Sequence, residues 1–285
     1  MYEISFNIFE LLYLTLIIYF FPKYKSKYYL TNQSNNKNKY KKQIYFECGG
    51  GYVNYYGGII QFIKENYSDE DLDKIIWIGS SAGSYPAIIG AFLEVENNES
   101  KEILIKLQKK MEKLWFGAIY KLNIIIKENF YEKYLLDYEE KICNSDKLFI
   151  MVLNINIICP IFSSITFYYN FENMKEFTDS CLTSHGIPFI TGPLNVTILS
   201  HPSKWYIKRM DAGFFSLLFG FLFGYDKFMP YGNNIEFHII SPTIFRNFKL
   251  NWSWLWCCID HTEMLFNLGY EDAKKNVDIL NKMIL

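Results

Sequence analysis

Two kinds of hydrophobic run alternate along this chain. Short apolar stretches rich in β-branched and aromatic residues, QIYFEC at 43–48, KLFIMVLNINIICP at 147–160 and NIEFHIISP at 234–242, predict strands. IIWIG at 75–79 is apolar on both faces, the pattern of a strand buried inside a parallel sheet. SITFYYNF at 164–171 predicts a partner strand, and WYIKRMDAG at 205–213 a strand ending in an acid. Between these runs the period lengthens. In NYYGGIIQFIKENY (54–67), Ile59, Ile60, Phe62 and Ile63 share one face of a helix. SYPAIIGAFLEVE (84–96) is helical too, with Pro86 near its start, where a missing N–H is tolerated. Residues 99–142 predict two helices parted near Phe116-Gly117, 172–186 another, and the stretch from His261 onward one or two more. Strands alternating with helices predict an α/β sheet covered on both faces. No internal repeat appears, and no composition break follows residue 43, so 43–285 reads as one domain.

The N-terminal residues follow a different pattern. Residues 4–21 are mainly apolar and carry one charge, Glu10, and eighteen helical residues would span about 27 Å, near the thickness of a bilayer core. Lys23, Lys25 and Lys27 come next, which orients such a segment with the rest of the chain on the cytoplasmic side. Residues 1–30 therefore read as a membrane anchor, and the polar stretch 31–42 as a flexible basic linker. The formal net charge is only −1 over 285 residues, which removes the global field that draws proteins to nucleic acid. The six cysteines form no C-x-x-C pair, the usage expected of reduced, mostly buried thiols. No group of His, Cys, Asp and Glu has metal-ligand spacing, and no cofactor fingerprint is present.

Chemistry concentrates at two glycine-flanked turns. Gly49, Gly50 and Gly51 follow the first predicted strand and precede a helix, where residues without Cβ let backbone N–H groups face a partner. No G-K-[ST] ending follows, so this is not a phosphate loop. Gly79-Ser80-Ser81-Ala82-Gly83 is a G-x-S-x-G between strand 75–79 and the next helix. That is a nucleophile elbow, with Gly79 and Gly83 permitting the sharp turn that lifts Ser81 Oγ above the sheet. One βαβ crossover takes about 30 residues, so both turns are expected at the carboxyl edge of neighbouring parallel strands. Gly49–Gly51 then read as an oxyanion hole for a carbonyl attacked by Ser81.

With these motifs in order, the chain resembles the patatin-like phospholipase family, in its adiponutrin-like branch. The carriers are CGGGYVNYYGG, GSSAGS, and Asp211-Ala212-Gly213 in place of the family's D-G-G/A loop. FENMKEFTDSCLTSHGIPF, EFHIISP and LGYEDAKK resemble further family segments, so the likeness spans roughly 43–280. It implies a three-layer patatin-like fold with a mainly parallel central sheet and helices on both faces. It also implies a cofactor-free lipid acyl-ester hydrolase acting on phospholipid or acylglycerol at a membrane. In that reading Ser81 is the nucleophile and Asp211 the general base of a Ser–Asp dyad. The sequence departs from the family at Val53, Asn54 and Ala212, and after Gly213, where FFSLLFGFLFG reads as a buried helix or an apolar lid. NWSWLWCC (251–258) reads as core or as an aromatic belt. These departures leave open a catalytically weak relative that binds lipid or a protein partner. The order Ser81, Asp211, His261 leaves open an α/β-hydrolase triad, although the glycine-loop spacing argues against it and His261 reads as a helix-start residue.

Overall fold

A computed structural model of the protein describes residues 39–92, 101–102, 105–106, 122–143, 145–158, 164–186, 199–201, 204–212, 230, 235–246 and 261–285. The expected anchor helix, most of the linker, Gly213, and the apolar segments after it and at 251–258 lie outside these residues. Among the described residues no helix is long and apolar enough to cross a membrane.

The first half builds two strand–turn–helix units. Strand β1 (Lys42–Phe46) leads through a 3-10 turn (Gly50–Tyr52) into α1 (Val53–Asn66), and a short α2 (Asp69–Leu72) follows. Ser68 caps α2 by accepting from the Asp71 amide, which satisfies one of the helix's orphan donors. Strand β2 (Ile75–Ser80) then enters α3 (Ser84–Phe92) through the turn Ser81–Gly83. Next come α4 (Leu122–Ile126), a π-type turn (Lys127–Tyr131), α5 (Glu139–Cys143), the long β3 (Leu148–Asn156) and β4 (Ser164–Tyr168). Helix α6 (Met174–Ser184), capped by Asn173, precedes β5 (Leu199–His201) and β6 (Lys204–Asp211). Strand β7 (Glu236–Ile240), α7 (Thr262–Lys275) and α8 (Val277–Ile284) complete the described elements.

All seven described strands join one sheet, and it is mixed rather than mainly parallel. Strand β1 pairs in parallel with β2 and β7, and β2 with β3, whereas β3 pairs antiparallel with β4 and β6, and β5 with β6. For β3 with β4 and β5 with β6 the reason is connection length. Residues 157–163 join β3 to β4 and 202–203 join β5 to β6, too short for the crossover of about a dozen residues that a parallel pair needs. Register fixes which strands share an edge of β3. Ile150 faces both Gly79 of β2 and Tyr168 of β4, and Val152 faces both Thr166 of β4 and Asp211 of β6. A strand has two edges, so β2 and β6 lie on the same one. They meet end to end, Ser80 opposite Met151 and Asp211 opposite Val152.

The alternation of side chains along the strands divides the core in two. Ile44, Phe46, Trp77, Ile150 and Val152 pack with the helices on one face. Tyr45, Ile76, Ile78, Phe149 and Met151 are buried on the other, in a cluster to which the described helices contribute no residue. Helices on both faces are thus described on one face only. On the helical face α1 and α7 cross closely: a Cβ on Gly58 would stand 1.9 Å from the Phe266 carbonyl oxygen, and one on Gly269 2.0 Å from that of Tyr55. The glycine pair Gly57-Gly58 therefore belongs, at Gly58, to helix packing and not to the glycine-rich turn before it.

Candidate active site

Ser80 is the last extended residue of β2, at φ −131° and ψ 133°, and the chain turns sharply at the next position. Ser81 has φ 53°, left-handed for a residue with a Cβ, a conformation that costs roughly 1–3 kcal/mol and persists only where the surroundings impose it. The flanking glycines make the turn possible. A Cβ on Gly79 would lie 2.4 Å from Ser84 Cα, and one on Gly83 would lie 2.2 Å from the Phe46 carbonyl oxygen. The second distance also locates the elbow: it packs backbone to backbone on the end of β1, where the glycine-rich turn starts. That turn has its own left-handed residue, Gly50 at φ 50°, and is closed by the Tyr52 amide donating to the Gly49 carbonyl at 2.9 Å. The turns Gly50–Tyr52 and Ser81–Gly83 pack on each other at the carboxyl edge of β1 and β2.

Opposite the elbow stands the end of β6. Ser81 Oγ donates a hydrogen bond to Asp211 Oδ2 at 2.8 Å, across 130 residues of sequence, and both residues are only 8% exposed. The end-to-end meeting of β2 and β6 on β3 is what joins them. The structure thus brings Ser81 and Asp211 into contact and sets the Gly49–Gly51 segment against the turn that carries Ser81.

Three consecutive residues at the end of α6 hold this pair in place. The Ser81 amide donates to Ser184 Oγ at 2.9 Å, and Ser184 Oγ donates in turn to the Met151 carbonyl of β3 at 2.8 Å. Ser84 Oγ lies 3.3 Å from the same hydroxyl. The His185 ring hydrogen-bonds the Ser81 main chain and stacks on Tyr131, with centroids 6.3 Å apart. Part of the residue remains accessible, yet enclosure of the ring by protein lowers its pKa from 6.5 to about 4, so it is neutral at neutral pH. Finally the Asp211 amide donates to the Gly186 carbonyl at 3.4 Å. One helix end therefore grips the backbone on both sides of the Ser–Asp contact.

None of these three residues stood out as functional in the sequence. LTSHG was legible only as a helix end with small residues, because a hydroxyl that caps another segment's amide leaves no spacing signal. The histidine that reaches Ser81 is His185, whereas His261 is the exposed N-cap of α7. Two departures from the family pattern acquire structural roles. Asn54 is buried in the first turn of α1 and donates to Thr262 Oγ1 of α7 at 3.1 Å. Ala212 is buried on the second face of the sheet, and among the described non-glycine residues only Ser81 and Asn170 have positive φ. Its Cβ is therefore no obstacle.

Among the described residues no group of three or more His, Cys, Asp or Glu could hold a metal ion. The thiols of Cys48, Cys143 and Cys181 are dispersed. Comparison of the chain with family models, with curated proteins and with solved structures gives no match.

Proposed function

We propose that this protein is an acyl-ester hydrolase of the patatin-like type, with Ser81 as nucleophile and Asp211 as its base. The observation that carries this reading is the 2.8 Å hydrogen bond from Ser81 Oγ to Asp211 Oδ2, made by a left-handed residue at the end of a parallel strand. Ser81 Oγ attacks the ester carbonyl carbon while its proton passes to Asp211. The oxygen of the tetrahedral intermediate takes up negative charge beside the glycine-rich turn, where the amides of Gly49, Gly50 and Gly51 are the donors available to it. Collapse breaks the ester C–O bond, and the proton on Asp211 goes to the departing alkoxide. Water then attacks the acyl-serine, Asp211 takes its proton, and the acid leaves as Ser81 recovers the hydrogen. A carboxylate with a reference pKa of about 3.9 is a weak base, so its competence rests on placement. The grip of Ser184, His185 and Gly186 supplies that placement.

A lipid is the substrate class this reading favours. At the far end of β3 and β6 an exposed apolar tip projects, with Trp205 71% and Ile158 65% accessible and Lys204 exposed beside them. Aromatic and aliphatic side chains next to a cation suit the headgroup region of a bilayer. Anchoring through residues 4–21, with the domain on the cytoplasmic side, is the matching proposal from sequence. The test is covalent labelling of the full chain with a fluorophosphonate. Modification at Ser81, lost together with ester turnover in Ser81→Ala, is expected. Undiminished turnover in Ser81→Ala would refute the nucleophile, and folded protein that resists labelling would favour a lipid-binding role without catalysis.

A further inference from the structure

Arg209 lies two residues before Asp211 on β6, on the same face of the strand and about 7 Å along it. It is 2% exposed. Its guanidinium sits 5.5 Å from the centre of the Tyr168 ring and hydrogen-bonds that side chain, contacts that favour a cation but do not neutralise it. Its Nε and Nη1 are buried and have no hydrogen-bond partner, and no carboxylate among the described residues forms an ion pair with it. The surroundings are polar but already engaged. Asn154, directly opposite Arg209, donates to Thr166 Oγ1 at 2.7 Å and accepts from the Tyr168 hydroxyl at 3.3 Å. Glu176 of α6 is near enough to raise the Tyr168 pKa, against the lowering effect of Arg209, and remains unpaired with the guanidinium.

A buried charge is tolerated when it is paired and hydrogen-bonded, and an unpaired one is among the most destabilising features a fold can carry. Guanidinium N–H groups form a planar fork that matches phosphate and carboxylate oxygens. We infer that Arg209 is the anion subsite of the substrate site, receiving a phosphate group of the ester whose carbonyl reaches Ser81. This deepens the hydrolase reading and rests on it. An ester carrying an anionic phosphate satisfies Nε and Nη1 on binding, whereas a neutral ester leaves them unpaired, so the site discriminates by charge.

The experiment compares two soluble substrates of the full chain with the same acyl chains, dihexanoyl phosphatidic acid and dihexanoylglycerol, and uses inorganic phosphate as a free competitor. Wild type is expected to show kcat/KM at least about tenfold higher for the phosphate-bearing ester, expressed mainly in KM. In Arg209→Met the ratio between the two esters falls toward one, and Arg209→Lys, which keeps the charge but not the fork, lies between. Phosphate should inhibit wild type competitively and raise its melting temperature, and Arg209→Met should lose both effects. Equal rates on the two esters in wild type, or a preference that survives Arg209→Met, overturns the subsite while leaving the hydrolase in place. Should Arg209→Met fail to fold, Arg209→Lys decides: an unchanged ratio and unchanged phosphate inhibition overturn the proposal. Arg209-dependent stabilisation by phosphate in a protein that cleaves neither ester keeps the subsite and removes the hydrolase.

Discussion

The two halves of the Ser–Asp contact are built by opposite means. Ser81 sits in a local unit: β2, a tight turn and α3 follow one another without interruption, and the glycines that allow the turn are its immediate neighbours. Asp211 is placed by non-local pairing. It ends β6, an antiparallel strand that reaches the elbow only because β3 extends past the end of β2 and offers β6 the same edge. The elbow stores strain in its own backbone, whereas the acid depends on the register of a sheet. Local motifs survive sequence change elsewhere, but a register slip of one residue turns every side chain of a strand to the other face. Such a slip in β6 would present Met210 or Ala212 to Ser81 in place of the carboxylate.

The largest expected effect separates these contributions directly. Asp211→Asn keeps the size and the register but removes the proposed base, and kcat for a short-chain ester should fall about 10²–10⁴-fold with little change in melting temperature. A variant that retains near wild-type kcat would show that the non-local half of the contact is dispensable, and would leave the elbow alone as the functional unit.

The same contrast explains what could be read in the sequence. Strand 75–79, the elbow and the first helix were legible because each is a contiguous pattern of side-chain period and glycine placement. The acid at the end of a strand was legible as well, and so were β7 and the paired C-terminal helices. The balance of parallel and antiparallel strands was not. An apolar run such as 147–160 states that a strand is buried and says nothing of which neighbours it acquires, so the expected mainly parallel sheet became a mixed one. Ser184 and Arg209 were invisible for a related reason. The partner of Ser184 lies 103 residues away, and the neighbours of Arg209, Asn154 opposite it on β3 and Tyr168 of β4 against its guanidinium, are equally remote in sequence.

An intermediate effect is expected where the two halves are tied together. Ser184 Oγ bridges the Ser81 amide to the Met151 carbonyl, hence the elbow to the strand that also positions Asp211. Ser184→Ala leaves a buried N–H without its acceptor, a loss of about 1–3 kcal/mol in denaturant unfolding. The turn then has one restraint fewer against its φ of 53°, so kcat should fall while KM changes little. Ser84 Oγ is close enough to take over part of the bond, and the double variant Ser84→Ala with Ser184→Ala should therefore lose more than the sum of the single variants. Strict additivity would mean that the two hydroxyls act separately and that the bridge is not shared.

The smallest effect belongs to His185, and its sign is fixed by the direction of the pKa shift. The folded protein holds the ring neutral down to about pH 4, whereas the unfolded chain protonates it near 6.5. Between those values the unfolded state binds the extra proton, so the stabilisation is complete above pH 6.5 and disappears as pH falls toward 4. Replacing the ring by an uncharged side chain removes this dependence without touching the carboxylates, which titrate in both proteins and cancel in the difference. Melting temperature measured from pH 7.5 to 4 should thus fall more steeply in wild type than in His185→Gln, with the two slopes converging above pH 6.5. Parallel curves across the whole range would show that the ring titrates as it does in water. The helix end at 184–186 would then grip Ser81 through Ser184 alone, and the local half of the contact would be less tightly held than the non-local one.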